Sequence, residues 1–240
     1  MLTMYVLVFM LSCRNLYTFK TIYMKPILKN KWISFIVLAV AFLLIYNPLT
    51  KFPYTFCLII LYILIATYFQ DGSLKELNFK PLNFRSAKII LISYLTLELG
   101  VDFIVQPIVN WLCNETADYS SFAHIQGDAS RYLKWLGSIW ISAALGEELL
   151  FRAFAFAQLK NMFGKKKGWI VLLSSLMFCL PHLYQGIAGL IMTFIFGIFF
   201  SFLYLKYHNI WINIIVHGLI DSAFLTLSYF GYIKFYQFIW

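Results

Sequence analysis

Between residues 142 and 152 the chain reads Ser-Ala-Ala-Leu-Gly-Glu-Glu-Leu-Leu-Phe-Arg, so two adjacent carboxylates, Glu147 and Glu148, and a guanidinium, Arg152, interrupt an otherwise apolar stretch. Each charge at the centre of a membrane-spanning helix costs about 2.5–3.5 kcal/mol on insertion scales, so a cluster of them requires partners or a function. On an α-helix Glu148 and Arg152 are i,i+4 neighbours and can pair, whereas Glu147 lies about 100° round the helix with no local cation. The spacing divides the labour: Glu148 with Arg152 forms a structural ion pair, and Glu147 is the free acid or base.

Two further apolar stretches carry matching groups. Phe178-Cys179-Leu180-Pro181-His182 places an imidazole near the end of one, and Asn213, His217 and Asp221 recur at four-residue intervals on one face of another. A carboxylate and an imidazole on facing helices can hold and deprotonate a water, while a second imidazole with a polar neighbour stabilises an oxyanion; hydrolysis is the natural reaction. Alternatively, Glu147, His182 and His217 form the two-imidazole, one-carboxylate donor set of a zinc hydrolase, with a divalent metal as cofactor. No His-Glu-x-x-His is present, so those ligands would come from separate helices. The spacing leaves both chemistries open. Plainer readings stand beside them. His182 next to Pro181 could serve only to satisfy carbonyls freed by the proline. Glu98 and Asp102, an i,i+4 pair of acids in another apolar stretch, are expected to line a water cavity or join the Arg152 network rather than to act in catalysis. His124 and His208 fall at or beyond the membrane edge.

The elements that position these groups follow from composition. The 240 residues are 62% apolar, 20% aromatic and only 12% charged, which excludes a soluble domain and implies a polytopic membrane protein. The polar segments, about twenty residues at most, are too short for a separate core. The net charge of +9 comes from Lys and Arg in short loops, which points to lipid orientation rather than nucleic acid. Cys13, Cys57, Cys113 and Cys179 are too scattered for a ligand set and read as packing residues. The expected fold is an all-α transmembrane bundle, with about seven spans near 32–50, 52–69, 89–112, 133–158, 169–184, 187–205 and 210–230. Residues 1–31 form an amphipathic or half-embedded interfacial segment, and residues 32–240 the bundle. Segments 13–31, 70–88, 159–168 and 206–209 hold 14 Lys or Arg against four on the other side, which assigns the 13–31 and 159–168 segments to the cytoplasm of a plasma membrane. Counting from the cytoplasmic ends, Glu147, His217, Asp221 and His182 lie roughly 16, 11, 17 and 20 Å deep, so groups from three helices reach one layer.

In order and spacing, Glu147-Glu148-x-x-x-Arg152, Phe178-x-x-x-His182 and Asn213-x-x-x-His217-x-x-x-Asp221 resemble the CAAX prenyl protease and bacteriocin-processing family of intramembrane endopeptidases, also called the Abi family. The likeness covers about 133–225. It implies that Glu147 is the catalytic glutamate and activates water with His182, that Glu148 and Arg152 support it, and that His217 and Asp221 form the oxyanion pair. Some members carry Asn at the last position. An ionised Asp221 accepts but cannot donate a hydrogen bond, so it would orient His217 instead. Phe178 and Asn213 are supporting positions, with Asn213 expected to fix helix packing or to bond to His217. The resemblance leaves metal dependence open, with the balance toward no obligatory metal. The implied activity is cleavage of a peptide or membrane-anchored substrate near the cytoplasmic face; the alternative is a non-catalytic bacteriocin immunity or transport protein of the bacterial membrane.

Overall fold

The structure, a computed structural model, describes residues 25–237; residues 1–24, with most of the expected interfacial segment and Cys13, lie outside the described residues. Seven helices follow one another: α1 (Lys31–Leu43), α2 (Tyr54–Asp71), α3 (Phe84–Cys113), α4 (129–163), α5 (Lys167–Cys179), α6 (Gly186–Tyr207) and α7 (Ile210–Tyr229). No strand occurs among the described residues, so the all-α expectation holds.

The starts of several helices are written in short polar side chains. The Asn83 side chain accepts from Ser86 N while the Ser86 hydroxyl serves the Asn83 backbone, a reciprocal cap on α3. Asp128 accepts from Arg131 N at the start of α4, and Asn209 from Trp211 N at the start of α7.

About seven spans were expected; among the described residues four stretches are long and apolar enough to cross a membrane by length and composition: Tyr54–Asp71, Phe84–Cys113, Lys167–Tyr207 and Ile210–Tyr229. The difference has three sources. Lys31–Tyr46 is short, and the expected fifth and sixth spans run on as one stretch through a 3₁₀ segment at Leu180–Gln185. The third source is α4, whose middle carries Glu147, Glu148 and Arg152.

That charged middle is the structural centre. Residues Trp140–Phe154 of α4 adopt π-helical geometry and pack against α1, α2, α5, α6 and α7. A second, shorter π segment, Val101–Val105, interrupts α3 at Asp102. Such i→i+5 turns inside α-helices concentrate at functional sites. Two glycines permit the tight approach on either side of α4. A Cβ at Gly146 would lie 2.6 Å from the Phe56 ring of α2, and one at Gly218 of α7 would lie 2.7 Å from the Trp140 ring. The inner side of α4 buries Leu149, Leu150, Phe151 and Phe154 almost completely. Facing outward, Leu91, Ile92 and Leu99 on α3, and Phe202 on α6, are exposed apolar side chains, as a lipid-facing surface requires.

Candidate active site

Glu148 is the hub of the polar interior. Its Oε1 lies 3.3 Å from Arg152 Nη1 and 3.0 Å from His217 Nδ1, and its Oε2 accepts from Asn213 Nδ2 at 3.0 Å. Glu148 and Arg152 are both fully buried. Because a carboxylate only accepts, the short contact makes His217 Nδ1 the protonated, donating nitrogen. His217 Nε2 faces the other side, 3.6 Å from Asp221 Oδ2, too long for a hydrogen bond as it stands. The Phe200 ring lies nearly parallel to the His217 imidazole at 5.0 Å, and Phe200 O accepts the second bond from Asn213 Nδ2, at 2.9 Å. Of the two roles expected for Asn213 the geometry shows the packing one: it bonds to Glu148 and to the α6 backbone, not to His217. The helix faces explain this, since a side chain one turn below His217 on α7 meets the second oxygen of the same carboxylate.

Arg152 is enclosed by rings as well as by charge. Its guanidinium carbon lies 4.1 Å from the Phe178 ring centroid and 5.3 Å from that of Phe200, and Nη2 donates to Gly197 O at 3.4 Å. Aromatic faces thus supply part of what water would supply to a buried cation. Neither Glu98 nor Asp102 joins this network among the described residues. Phe178 also receives the catalytic-side imidazole: Phe178 O lies 3.1 Å from His182 Nδ1. A carbonyl cannot donate, so Nδ1 carries the proton and Nε2 is the nitrogen left for a substrate or water.

Glu147 differs from its neighbour in every respect. Among the described residues its side chain makes no hydrogen bond and no ion pair, and it is half-buried, lining a cavity of about 540 Å³ together with His182, His217 and Asp221. The four groups expected in one layer therefore do share one space. Phe178, Phe151 and Phe200 contribute apolar wall to the same cavity, which also reaches Asp102. Asp102 thus lines a cavity, one of the two outcomes expected for the Glu98 and Asp102 pair.

The cavity lies away from the basic segments. Its lining comes from Ile45 and Phe52–Phe56, from α3 at Asp102 and Gln106, from α4 between Trp135 and Phe151, from Phe178 to Gln185, from α6 between Met192 and Phe200, from α7 between His217 and Leu225, and from 119–122 and Tyr236. None of it comes from 72–83, 159–166 or 206–209, the segments that carry the basic side chains at the opposite end.

Among the described residues, no three His, Cys, Asp or Glu side chains converge closely enough to hold a metal ion. In the expected set Glu147, His182 and His217, each imidazole has Nδ1 engaged, His217 with Glu148 and His182 with Phe178 O, and keeps Nε2, the nitrogen that a metal-bound histidine in such surroundings uses. What stands against zinc in this arrangement is the spacing of the three side chains, not the state of the imidazoles.

Sequence reasoning missed three contributors. The Glu148–His217 contact depends on how α4 and α7 face each other, which local spacing does not contain. Phe200, one of several phenylalanines along its helix, is 1% exposed and stacks on His217. Tyr184 lines the cavity and lies within charge-interaction range of Glu147 and Asp221. A tyrosine two residues beyond a candidate histidine was the available signal.

No curated protein and no solved structure matches the chain. One family model does: Rce1-like, described as type II CAAX prenyl endopeptidase Rce1-like, which matches residues 129–223. That stretch begins at the first residue of α4 and ends two residues beyond Asp221, so it spans both glutamates, Arg152 and both imidazoles. The segment that builds the polar centre of this membrane bundle is therefore the part of the chain that is similar to the Rce1-like, type II CAAX prenyl endopeptidase family, in agreement with the resemblance carried by its motifs.

Proposed function

We propose that the protein is a glutamate-type intramembrane endopeptidase that hydrolyses a peptide bond in a peptide or membrane-anchored substrate. Glu147 acts as general base on a water that it shares with His182 Nε2. The scissile carbonyl lies between that water and His217, which as an imidazolium donates to the developing oxyanion from Nε2 while Nδ1 stays on Glu148. Asp221, 3.6 Å from Nε2, orients His217 before the oxyanion forms. Glu148, Arg152 and Asn213 hold His217 and are positioning residues. The proton taken by Glu147 passes to the leaving amine.

The observation that carries this reading is the contrast between the adjacent glutamates: one is tied by three contacts, the other is unpartnered and lines the cavity shared with both imidazoles. The metal-free form of the mechanism is supported by the spacing of the donors, since no three His, Cys, Asp or Glu side chains among the described residues converge closely enough to hold a metal ion. If the basic segments face the cytoplasm of a bacterial plasma membrane, the cavity lies on the side of the bundle away from it. Cleavage on that side replaces the expectation of a cut near the cytoplasmic face.

Comparative peptidomics of cells with wild-type protein or Glu147→Gln tests the reading. At least one peptide should be processed only with the wild type, at equal protein abundance, and the purified enzyme should keep its rate after treatment with a zinc chelator. Unchanged peptide processing in the variant would overturn the protease assignment and favour the immunity or transport alternative. A rate abolished by chelation and restored by zinc would overturn the metal-free form of the mechanism.

A further inference from the structure

The catalytic groups take up only one end of the cavity. It continues to α3 and to the chain after α7, where Asp102, Gln106, Tyr119 and Tyr236 line it. Tyr184 and Tyr119 both line the space, Tyr184 beside His182 and Tyr119 beside Gln106. We propose that the Asp102 end is a specificity subsite for a cationic group of the substrate, a lysine or arginine side chain or a free amino terminus. The proposal rests on the protease reading and adds to it a substrate class, basic peptides, and a residue that selects them.

Three observations carry it. The first is the balance of charge on the wall. The lining includes three carboxylates, Asp102, Glu147 and Asp221, two imidazoles, and no lysine or arginine. Arg152, the nearby guanidinium, is fully buried and is not part of the lining. A wall that carries acids and no lysine or arginine favours a cationic group, the more so where burial reduces screening. A substrate carboxylate placed at the Asp102 end would face a like charge and no lysine or arginine.

The second is the hydrogen-bonding character of this end. Asp102 and the Tyr236 ring line this end together. Gln106 Nε2 donates to Asn110 Oδ1 at 2.8 Å, and Gln106 Oε1 accepts from the Tyr119 hydroxyl at 3.4 Å. The Gln106 amide is thereby fixed with its oxygen toward Tyr119, and the Tyr119 oxygen keeps its lone pairs. A carboxylate, an amide oxygen and a phenol oxygen make an acceptor-rich end, the complement of an ammonium or guanidinium group, which only donates. Between the two ends the wall is aromatic, with Phe122, Phe196 and Phe224, against which the methylene stem of lysine or arginine packs.

The third is backbone geometry. Residues Val101–Val105 leave the α-helix for a π turn, and that turn contains Asp102. In α4 the other π segment contains Glu147. Both acids at the two ends of the cavity thus stand on widened turns, a departure that helices maintain mostly at functional positions.

The test uses the full chain in lipid nanodiscs and a defined pool of synthetic peptides in which each position is varied among lysine, arginine, norleucine and glutamate. Cleavage is read by mass spectrometry for wild type, Glu147→Gln and Asp102→Asn. The expected result is enrichment of lysine or arginine at one fixed distance from the cut with the wild type. Asp102→Asn should lose that enrichment, about tenfold or more in kcat/KM for the lysine peptide, with the norleucine peptide cut as before. A wild type indifferent to charge, or an Asp102→Asn enzyme with unaltered preference, overturns the proposal. A binding arm removes dependence on turnover. A fluorescent lysine peptide should bind Glu147→Gln about tenfold more tightly than its norleucine twin, and the difference should vanish in Glu147→Gln with Asp102→Asn. Equal binding of the twins overturns the subsite. Failure of the protease reading is separate, because it appears as wild type and Glu147→Gln giving the same products.

Discussion

Replacing Glu148 by Gln should damage the fold, whereas the same change one residue earlier should damage only the chemistry. The Glu148 carboxylate accepts from His217 and Asn213 at 3.0 Å each and faces Arg152 Nη1 at 3.3 Å. A glutamine keeps the shape but offers one acceptor oxygen and turns an NH₂ group toward donors, so at least one contact becomes donor against donor. It also leaves the guanidinium of Arg152, already without a hydrogen-bond partner at Nε, buried and unpaired. Removing one member of a buried ion pair costs about 3–5 kcal/mol. For a chain of this length that corresponds to a fall of roughly 6–20 °C in apparent melting temperature. Glu147→Gln removes no hydrogen bond or ion pair among the described residues, and its effect should stay within about 1 kcal/mol. Its peptide cleavage should fall by about 10²-fold or more if Glu147 is the general base. Melting by intrinsic tryptophan fluorescence in nanodiscs, run beside a cleavage assay, separates the two effects. Adding Arg152→Met to Glu148→Gln should recover part of the lost stability, because the uncompensated charge is gone, with a coupling of about 0.5–3 kcal/mol. The reasoning is refuted if Glu148→Gln melts with the wild type, or if the double variant melts lower by the full sum of the single effects.

Two further outcomes follow from the packing and the charge of the bundle. Gly218→Val would drive its side chain into Trp140, whose ring lies 2.7 Å from the position of an added Cβ and whose Nε1 donates to Ser222 at 3.1 Å. A loss of about 1–3 kcal/mol in thermal unfolding, with a drop in kcat from displacement of the adjoining His217, is expected; a variant as stable and as active as the wild type would show that α4 and α7 are not tightly fitted there. His208, at the α6 C-terminus outside the spans, has its pKa lowered by burial first and then by Lys80, Lys167 and Lys160. The unfolded chain therefore binds the His208 proton more readily than the folded one. Stability from this site is present above the ordinary histidine value and is lost as pH falls through it toward the lower folded value. The melting temperature should decline over that interval, and His208→Asn, which tolerates the positive φ of 47° at this position, should flatten the decline. An unchanged slope in the variant would assign the effect to another group.

Much of the site was legible because adjacency on a helix is informative whatever the exact pitch. Glu147 and Glu148 must point in different directions, so one can be tied down while the other stays free, and the Arg152 spacing indicates which. That inference assumed α-helical turns, yet the segment is π-helical. The pairing survives because a long arginine side chain absorbs the change of register, at 3.3 Å. The π turns themselves left no mark in local spacing, since they answer to what packs on both sides of α4, through Gly146 and Gly218, rather than to propensity along it. Span counting met the same limit from the other direction. Hydropathy finds a helix by the lipid it faces, and α4 has little lipid to face, being enclosed by five other helices along its charged middle.

The position of the cavity shows where the physics lies beyond any one helix. Depth counting brought Glu147, His182, His217 and Asp221 to one level, and they do line one space, but the count carries no information about which side of that level is hollow. What decides it is bulk. On the side of the basic segments the bundle is filled, with Phe156, Leu159, Ile170, Tyr204 and Ile210 buried in one core cluster. On the other side α5 gives way to the 3₁₀ segment Leu180–Gln185, and the chain spreads into the 114–128 segment. Glu115 of that segment caps the start of α6, its Oε1 accepting from Ile187 N at 2.6 Å and Ala188 N at 3.0 Å. An anionic cap at a helix N-terminus is favourable electrostatically as well as by its hydrogen bonds. It anchors the polar segment beside α6, where Tyr119 and Phe122 form part of the cavity wall. The 114–128 segment is thus part of the chamber, and there is room for a substrate because α5 stops being an α-helix at Cys179 and the following 3₁₀ segment brings His182, Tyr184 and Gln185 to that space.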